Sequence, residues 1–114
     1  VNGPTCPFCA RIADGEVEQT LHPDVVTFEP LRPVTPGHRL FLPTRHLPRA
    51  TDNPKRVGET MEQAAVWAVA NGVDSSNLIV STGRAATQTI PHFHVHLVPR
   101  RPLDGLHLPW TGQP

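Results

Sequence analysis

His92-Phe93-His94-Val95-His96, followed by Leu97-Val98-Pro99, places three of the chain's seven histidines at every second position. Side chains of a strand alternate between its faces, so the run predicts a strand over 92–99 that lines a pocket with imidazoles and buries Phe93, Val95 and Val98. Imidazole titrates near neutral pH, and three clustered rings point to metal binding, nucleophilic catalysis or anion contact rather than packing. His94, the central member, is the candidate nucleophile. A ring nitrogen can attack phosphorus to give a phosphoramidate that then hydrolyses, dividing one hard displacement into two easier ones. That chemistry needs an acceptor on the other ring nitrogen, which a backbone carbonyl of a bent strand can supply. His96, on the same face, is placed to donate to a phosphate oxygen, and His38 to lie opposite on an adjacent strand. For both, a purely structural hydrogen bond is the competing reading.

Cys6-Pro7-Phe8-Cys9 supplies two thiols at the spacing of half a tetrahedral zinc site. A thioredoxin-like pair would follow a buried strand at the mouth of a helix, and only five residues precede Cys6. A zinc half-site is therefore the leading expectation, with two free thiols as the competing one. The remaining ligands must come from the histidines at 22, 38, 46, 92, 94, 96 and 107. His46 and His92 both sit at the boundary of an expected element, where a side chain can turn toward a neighbour. Cys6, Cys9, His46 and His92 are thus one candidate set, for a closed structural zinc that staples the N-terminal segment to the sheet.

Residues 81–89, Ser-Thr-Gly-Arg-Ala-Ala-Thr-Gln-Thr, bring hydroxyls, an amide and backbone N–H groups to the start of the histidine run. Neutral donors of this kind suit a phosphoryl group whose charge spreads over its oxygens during displacement. Gln88 and Thr89 stand out there, whereas turn chemistry alone accounts for Ser81, Thr82 and Thr87. Gly83 stands alone, so no glycine-rich phosphate loop is present.

The elements that must position these groups are punctuated by fourteen prolines. A short helix is expected over 10–13, stopped by Gly15, then a small extended segment over 16–20. Strands are expected over 25–29, 38–43, 77–81 and 92–99. Pro30, Pro33 and Pro36-Gly37 exclude a central strand between the first two. The long helix is expected over 54–71, capped by Asn53 and stopped by Gly72, with Val57, Met61, Ala64, Ala65, Ala68 and Val69 at helical spacing. Met61 and Trp67 read as core or subunit-contact residues. From about 101 the sequence is an irregular tail in which Leu106, Leu108 and Trp110 are expected to fold back or reach across a dimer. The sum is an α+β fold: a mostly antiparallel sheet of about five strands with one long helix and a short N-terminal helix, forming one domain over 1–114.

Ten basic and ten acidic residues balance, which leaves no electrostatic case for a nucleic-acid polymer or a membrane surface as partner. Arginines recur at 39, 45 and 49 and at 100 and 101, so local phosphate binding stays open. No charged leader with an apolar stretch opens the sequence and no run is long enough to cross a bilayer, so a cytoplasmic protein is the expectation.

Residues 83–100, Gly-Arg-Ala-Ala-Thr-Gln-Thr-Ile-Pro-His-Phe-His-Val-His-Leu-Val-Pro-Arg, resemble the signature of the histidine-triad nucleotide-binding family. The resemblance extends through Cys6-Pro-Phe-Cys9, Gly15-Glu16, Phe28, Pro33-Val-Thr-Pro-Gly-His38, Leu40-Phe-Leu-Pro43 and His46, and so covers essentially the whole chain. It implies a homodimer whose two sheets join into one, with a nucleoside monophosphate bound in a cleft of each subunit. It also implies hydrolysis or transfer of a nucleotidyl group through a covalent intermediate on His94. By the same resemblance Gln88, Thr89 and His96 match phosphate-contacting positions, and the His92 carbonyl matches the acceptor that orients the nucleophile. His38 matches a second histidine near the site, and Cys6, Cys9, His46 and His92 match the ligands of zinc-containing members. Residues 107–110, His-Leu-Pro-Trp, resemble a segment that shapes the leaving-group side.

Three positions depart from the pattern. Pro30 stands where the family commonly has an acid for the ribose hydroxyls, with Glu29 one residue early and on the opposite face. Ser81 and Thr87 replace the Asn and Gly of many nucleotide hydrolases, and these changes touch substrate binding rather than the nucleophile. Base selection is expected to rest on apolar packing around Ile12 and Phe28. The expected function is cleavage of a nucleoside monophosphate, AMP first, from a phosphoramidate or related anhydride. A dinucleoside polyphosphate hydrolase and a nucleotide-binding module with little turnover are the alternatives.

Overall fold

A computed structural model describes residues 5–110. The chain runs α1 (Pro7–Ala13), β1 (Glu18–Gln19), β2 (Val25–Phe28), β3 (Arg39–Pro43), α2 (Pro54–Ala70), β4 (Ser76–Ile79) and β5 (Val95–Pro99), with single 3-10 turns at Ala50–Asp52 and Arg84–Ala86. The strands form one sheet in the order β1-β2-β3-β5-β4, and every neighbouring pair is antiparallel. The expected α+β architecture is therefore present, with α2 on one face of the sheet.

The two-residue period of β3 decides what each face holds. Leu40 and Leu42 join Val26, Phe28, Cys6 and Phe8 in one core cluster. Phe41 turns the other way and packs with Val95, Leu97, Phe93 and Ala64 beneath α2. Both faces are covered, as expected for a strand without a polar side. Cross-strand partners share a face, and the register Phe28↔Leu40↔His96 carries a row of side chains across three strands on the face opposite α2.

α2 starts where expected, with the Asn53 side chain accepting from the Arg56 N–H and Pro54 in the first turn. Val57, Met61, Ala64 and Ala68 pack on the core side with Trp67, whose ring meets Phe41 edge-on at 6.2 Å. Val69 and Ala65, expected on that stripe, are exposed instead, and Val69 keeps 83% of its surface. Buried Thr60 and Gln63 take their place, because Thr60 Oγ1 donates back to the Arg56 carbonyl and Gln63 Oε1 accepts from Leu21 N–H.

Several boundaries move for identifiable reasons. α1 starts at Pro7 rather than Ala10 because the Cys6 sulfur caps it, accepting from the Cys9 N–H at 3.4 Å. The extended segment over 16–20 shortens to β1. β4 ends at Ile79 rather than Ser81. The strand over 92–99 begins only at Val95, since Phe93 N–H donates to the Leu47 carbonyl and His92 N–H to the Ile90 carbonyl instead of joining a ladder. Leu97, not Val98, shares the face of Phe93 and Val95, as the alternation requires. Gly37, at φ +88°, turns the proline-rich connection into β3, and a Cβ there would stand 3.1 Å from the Pro99 ring.

Beyond Pro99 the described tail has neither helix nor strand. Arg100 holds it by pairing with Asp104 at 2.8 Å and donating to the Leu106 carbonyl. Leu106 and Leu108 are half-buried, whereas Trp110 is 77% exposed. Among the described residues no helix is long and apolar enough to cross a membrane.

Phe41 has no exposed surface and joins sheet to helix. Phe41→Ala is expected to cost about 3–5 kcal/mol in urea unfolding, and a loss under ~1 kcal/mol would show that α2 is not held through this contact.

Candidate active site and metal centre

α1, the end of β3 and the segment before β5 converge on four side chains. The Cys6 sulfur lies 3.4 Å from His92 Nδ1, and the Cys9 sulfur lies 3.5 Å from His92 Nδ1 and 3.4 Å from His46 Nδ1. All four ligand atoms fall within 4.8 Å of one another, and Cys6 and His92 are buried. Tetrahedral bonds of about 2.0–2.3 Å to N and S place ligand atoms roughly 3.3–3.8 Å apart, so the spacing accommodates a metal ion. His92 Nε2–H donates to the Pro43 carbonyl at 2.9 Å, which leaves Nδ1 bare and aimed at the sulfurs. Burial and the adjacent Cys6 push the Cys9 thiol up to about 11. A cation held by these residues would reverse that effect, since both thiolates would gain a counter-charge. Residues 6, 9, 46 and 92, singled out in the sequence, are thus brought together by the fold.

The second group begins at the same residue. The His92 backbone carbonyl accepts from His94 Nδ1–H at 2.8 Å. A carbonyl has no proton to give, so the direction is forced and His94 Nε2 keeps its lone pair. Burial lowers the His94 pKa, which keeps the ring neutral. The backbone sets a second pair in the same way. Val34 N–H donates to His38 Nδ1 at 3.0 Å, so the His38 proton sits on Nε2 and is donated 3.0 Å onward to His96 Nδ1. His96 must then carry its own proton on Nε2, as a donor. His94 and His96 stand ring to ring at 5.0 Å, one offering a lone pair and the other an N–H.

Both rings line a cleft of about 960 Å³ together with Phe28, His38, Ser81, Gln88 and Thr89. Every proposed substrate-binding residue is therefore on its wall. His92 is not, being fully buried, and it reaches the site only through its carbonyl. Gln88 does more than face the cleft: its Oε1 accepts from Gly83 N–H and its Nε2 donates to the Pro48 and Ile90 carbonyls. Thr87, also on the wall, has φ +66°, the left-handed region a β-branched residue seldom enters. Pro30 lines the cleft where the resemblance calls for an acid, and Glu29 is absent from the lining. Ile12 packs against the cluster behind Phe28 without reaching the cleft.

Sequence reasoning missed Phe8 and Arg11. Phe8 meets the His94 ring edge-on at 5.1 Å and the Phe28 ring at 5.4 Å, and the Arg11 guanidinium lies 4.3 Å from the Phe28 ring centre. The signal was the position of Phe8 between two ligands: once both cysteines are fixed, the residue between them is carried onto the site.

The model of the HIT domain family matches residues 20–103, and the chain belongs to that family. The chain is 34% identical over 110 residues to the HIT-like protein Rv1262c of Mycobacterium tuberculosis, covering 89% of this chain and 75% of that one. It is 34% identical over 117 residues to adenylylsulfatase HINT3 of Arabidopsis thaliana, covering 95% of this chain and 57% of the relative. Among solved structures, a Zn-bound histidine triad family protein from Mycobacterium smegmatis superimposes with a TM-score of 0.69 at 30% identity, over 94% of this chain and 83% of that one.

Burial, with the neighbouring His94 and His38, pushes His96 down from 6.5 to about 4, and burial also lowers His38 despite the opposing charge of Glu29. The unfolded chain then binds more protons than the folded one between about 4 and 6.5. The contribution of His96 to stability is complete above that window and is lost as pH falls through it. In an NMR titration the His96 ring is expected to stay neutral at pH 5 and 6. A midpoint near its ordinary value would contradict the hydrogen-bond chain.

Proposed function

We propose that this chain is a nucleotidyl hydrolase or transferase. It cleaves a nucleoside monophosphate, AMP in the first instance, from a phosphoramidate or related phosphoanhydride through a covalent His94 intermediate. The observation that carries the reading is the bare Nε2 of His94, aimed into the cleft because its Nδ1–H is tied to the His92 carbonyl. Nε2 attacks phosphorus as the bond to the leaving group breaks; the leaving group takes the bonding pair, a phosphate departing as an oxyanion and an amine with a proton taken up from solvent, and the carbonyl supports the imidazolium that forms. His96 Nε2–H, Ser81 and Thr89 donate to the phosphoryl oxygens, and Gln88 shapes the loop that presents them. Water then attacks phosphorus and gives up a proton to solvent, the N–P bond breaks and its electron pair returns to Nε2. Phe28 is the apolar wall for the base. The adenylylsulfatase name of the Arabidopsis relative supports an adenylyl group as the transferred unit.

Zinc at Cys6, Cys9, His46 and His92 completes the reading. These four residues would hold it as a structural ion, which would neutralise the thiolates and fix His92, the residue whose backbone carbonyl holds the His94 ring. The open edge of β4, with Ile79 exposed on it, supports a homodimer in which two copies join there. Cys6 and Cys9 as reduced thiolate ligands fit a reducing, cytoplasmic setting. A binding module with little turnover is the second reading, favoured by the occupied Gln88 amide and by the Thr87 side chain on the cleft wall.

His94→Ala should lower turnover of adenosine phosphoramidate by roughly 10³-fold or more, and intact mass after a quench within seconds should show an added AMP on the wild type alone. Substrate consumed at the wild-type rate by the variant sinks the covalent reading, while tight AMP binding with no adduct favours the module. Elemental analysis should find about one zinc per chain, lost in Cys6→Ser/Cys9→Ser with a marked fall in Tm; full zinc in that variant refutes the ligand set.

A further inference from the structure

Phe28 lines the cleft, yet only 5% of its surface is exposed. The Phe8 ring meets it edge-on at 5.4 Å, and the Arg11 guanidinium lies over it, 4.3 Å from the ring centre. A base entering this end of the cleft finds little of the Phe28 ring left to cover. What it meets is the guanidinium.

Arg11 is a fixed part of that wall. Its Nε donates to the Glu16 carbonyl at 2.8 Å, and Glu16 N–H donates back to the Arg11 carbonyl at 3.0 Å, so two bonds hold the side chain across Phe28. It is half-buried and lines the cleft. Glu16 gives Arg11 its backbone oxygen rather than its carboxylate, and among the described residues Arg11 forms no ion pair. A guanidinium is planar and weakly hydrated, which suits it to lie between two π faces. Phe28 supplies one such face, and the cleft side is left for another.

The proline-rich segment after β2 is open in a complementary way. Pro30, Leu31 and Val34 line the cleft, and Leu31 keeps 90% and Val34 53% of their surface. Leu31 packs in neither core cluster. An apolar side chain left bare in a cleft wall gains by covering a flat ligand ring.

We propose that Arg11 is the base-contacting residue of this cleft: a purine stacks on its guanidinium, with Phe28 behind the cation and Leu31 covering the outer face. This rests on the nucleotidyl-transfer reading above and gives it a base preference. Stacking reads the size of the ring system rather than its edge, so purines are taken over pyrimidines, and adenine and guanine are both accepted.

The test is calorimetric binding of AMP, UMP and ribose 5-phosphate to the protein, which needs no turnover. Ribose 5-phosphate reports the sugar and phosphate contacts, so the ratio of AMP to ribose 5-phosphate affinity reads the base alone. In Arg11→Gln that ratio is expected to fall roughly tenfold, and the advantage of AMP over UMP to shrink with it. If the base used Phe28 directly, Arg11 would be a cover that has to move, and the ratio would rise in the variant. A rise, or an unchanged ratio, overturns the proposal. Leu31→Ser, at a position too exposed to affect folding, should lower the ratio about threefold; no change there removes Leu31 from the subsite. A wild type that binds AMP no more tightly than ribose 5-phosphate has no base subsite here, whatever it hydrolyses. A wild type that binds neither defeats the nucleotidyl-transfer reading and the subsite with it.

Discussion

His92 sends three groups in three directions, and both halves of the site depend on it. Its Nε2–H is committed to the Pro43 carbonyl, its Nδ1 to the two sulfurs, and its own carbonyl to His94 Nδ1. Rotating the ring would leave a buried Nε2–H without a partner, a penalty of about 1–3 kcal/mol. The candidate metal site and the orientation of the His94 ring are thus linked through one residue. A metal held by Cys6, Cys9, His46 and His92 would fix the peptide unit that sets the His94 tautomer. The carbonyl faces His94 because residues 92 and 93 leave the ladder, their N–H groups taken by the Ile90 and Leu47 carbonyls.

The same economy governs proton placement. Four imidazoles lie within a few ring diameters, and two backbone groups fix the protons of three of them: the His92 carbonyl holds His94, and Val34 N–H sets His38 and, through it, His96. Burial keeps the rings neutral, because charging one beside the others adds repulsion to desolvation. The wall of the cleft is therefore a neutral cluster with directed lone pairs and N–H groups. Phe8, carried on α1 between the cysteines, closes the side against His94 and Phe28, so the segment that brings the sulfurs also supplies the apolar wall.

The parts legible in the sequence were those fixed by local rules. Asn53-Pro54 announced α2, alternation announced the two faces of β3, and the spacing of the histidines announced the site. What could not be read depended on which distant partner a backbone group finds. The departure of residues 92 and 93 from the strand is set by carbonyls at 47 and 90, which no periodicity records. Val69 fits the apolar stripe of α2 by type, yet Gln63 takes a buried place because a loop N–H at Leu21 needs an acceptor. Arg11 reads as an ordinary surface cation until β2 places Phe28 beneath it.

Thr87 shows how such long-range bonding supports an unfavourable local conformation. A β-branched residue at φ +66° costs about 1–3 kcal/mol, and in an exposed loop it would relax unless its neighbours over-determine it. They do. Gln88 N–H and Ala86 N–H both donate to the Gly83 carbonyl, Thr87 N–H donates to the Arg84 carbonyl, and the Gln88 amide pins the loop at both ends. The loop holds its shape before any ligand arrives, so the backbone around Gln88 and Thr89 need not be ordered by substrate binding. That is the condition under which neutral donors stabilise developing charge without reorganising. The strain at Thr87 is sustained by Gln88, which is why one glutamine serves the loop at least as much as the cleft.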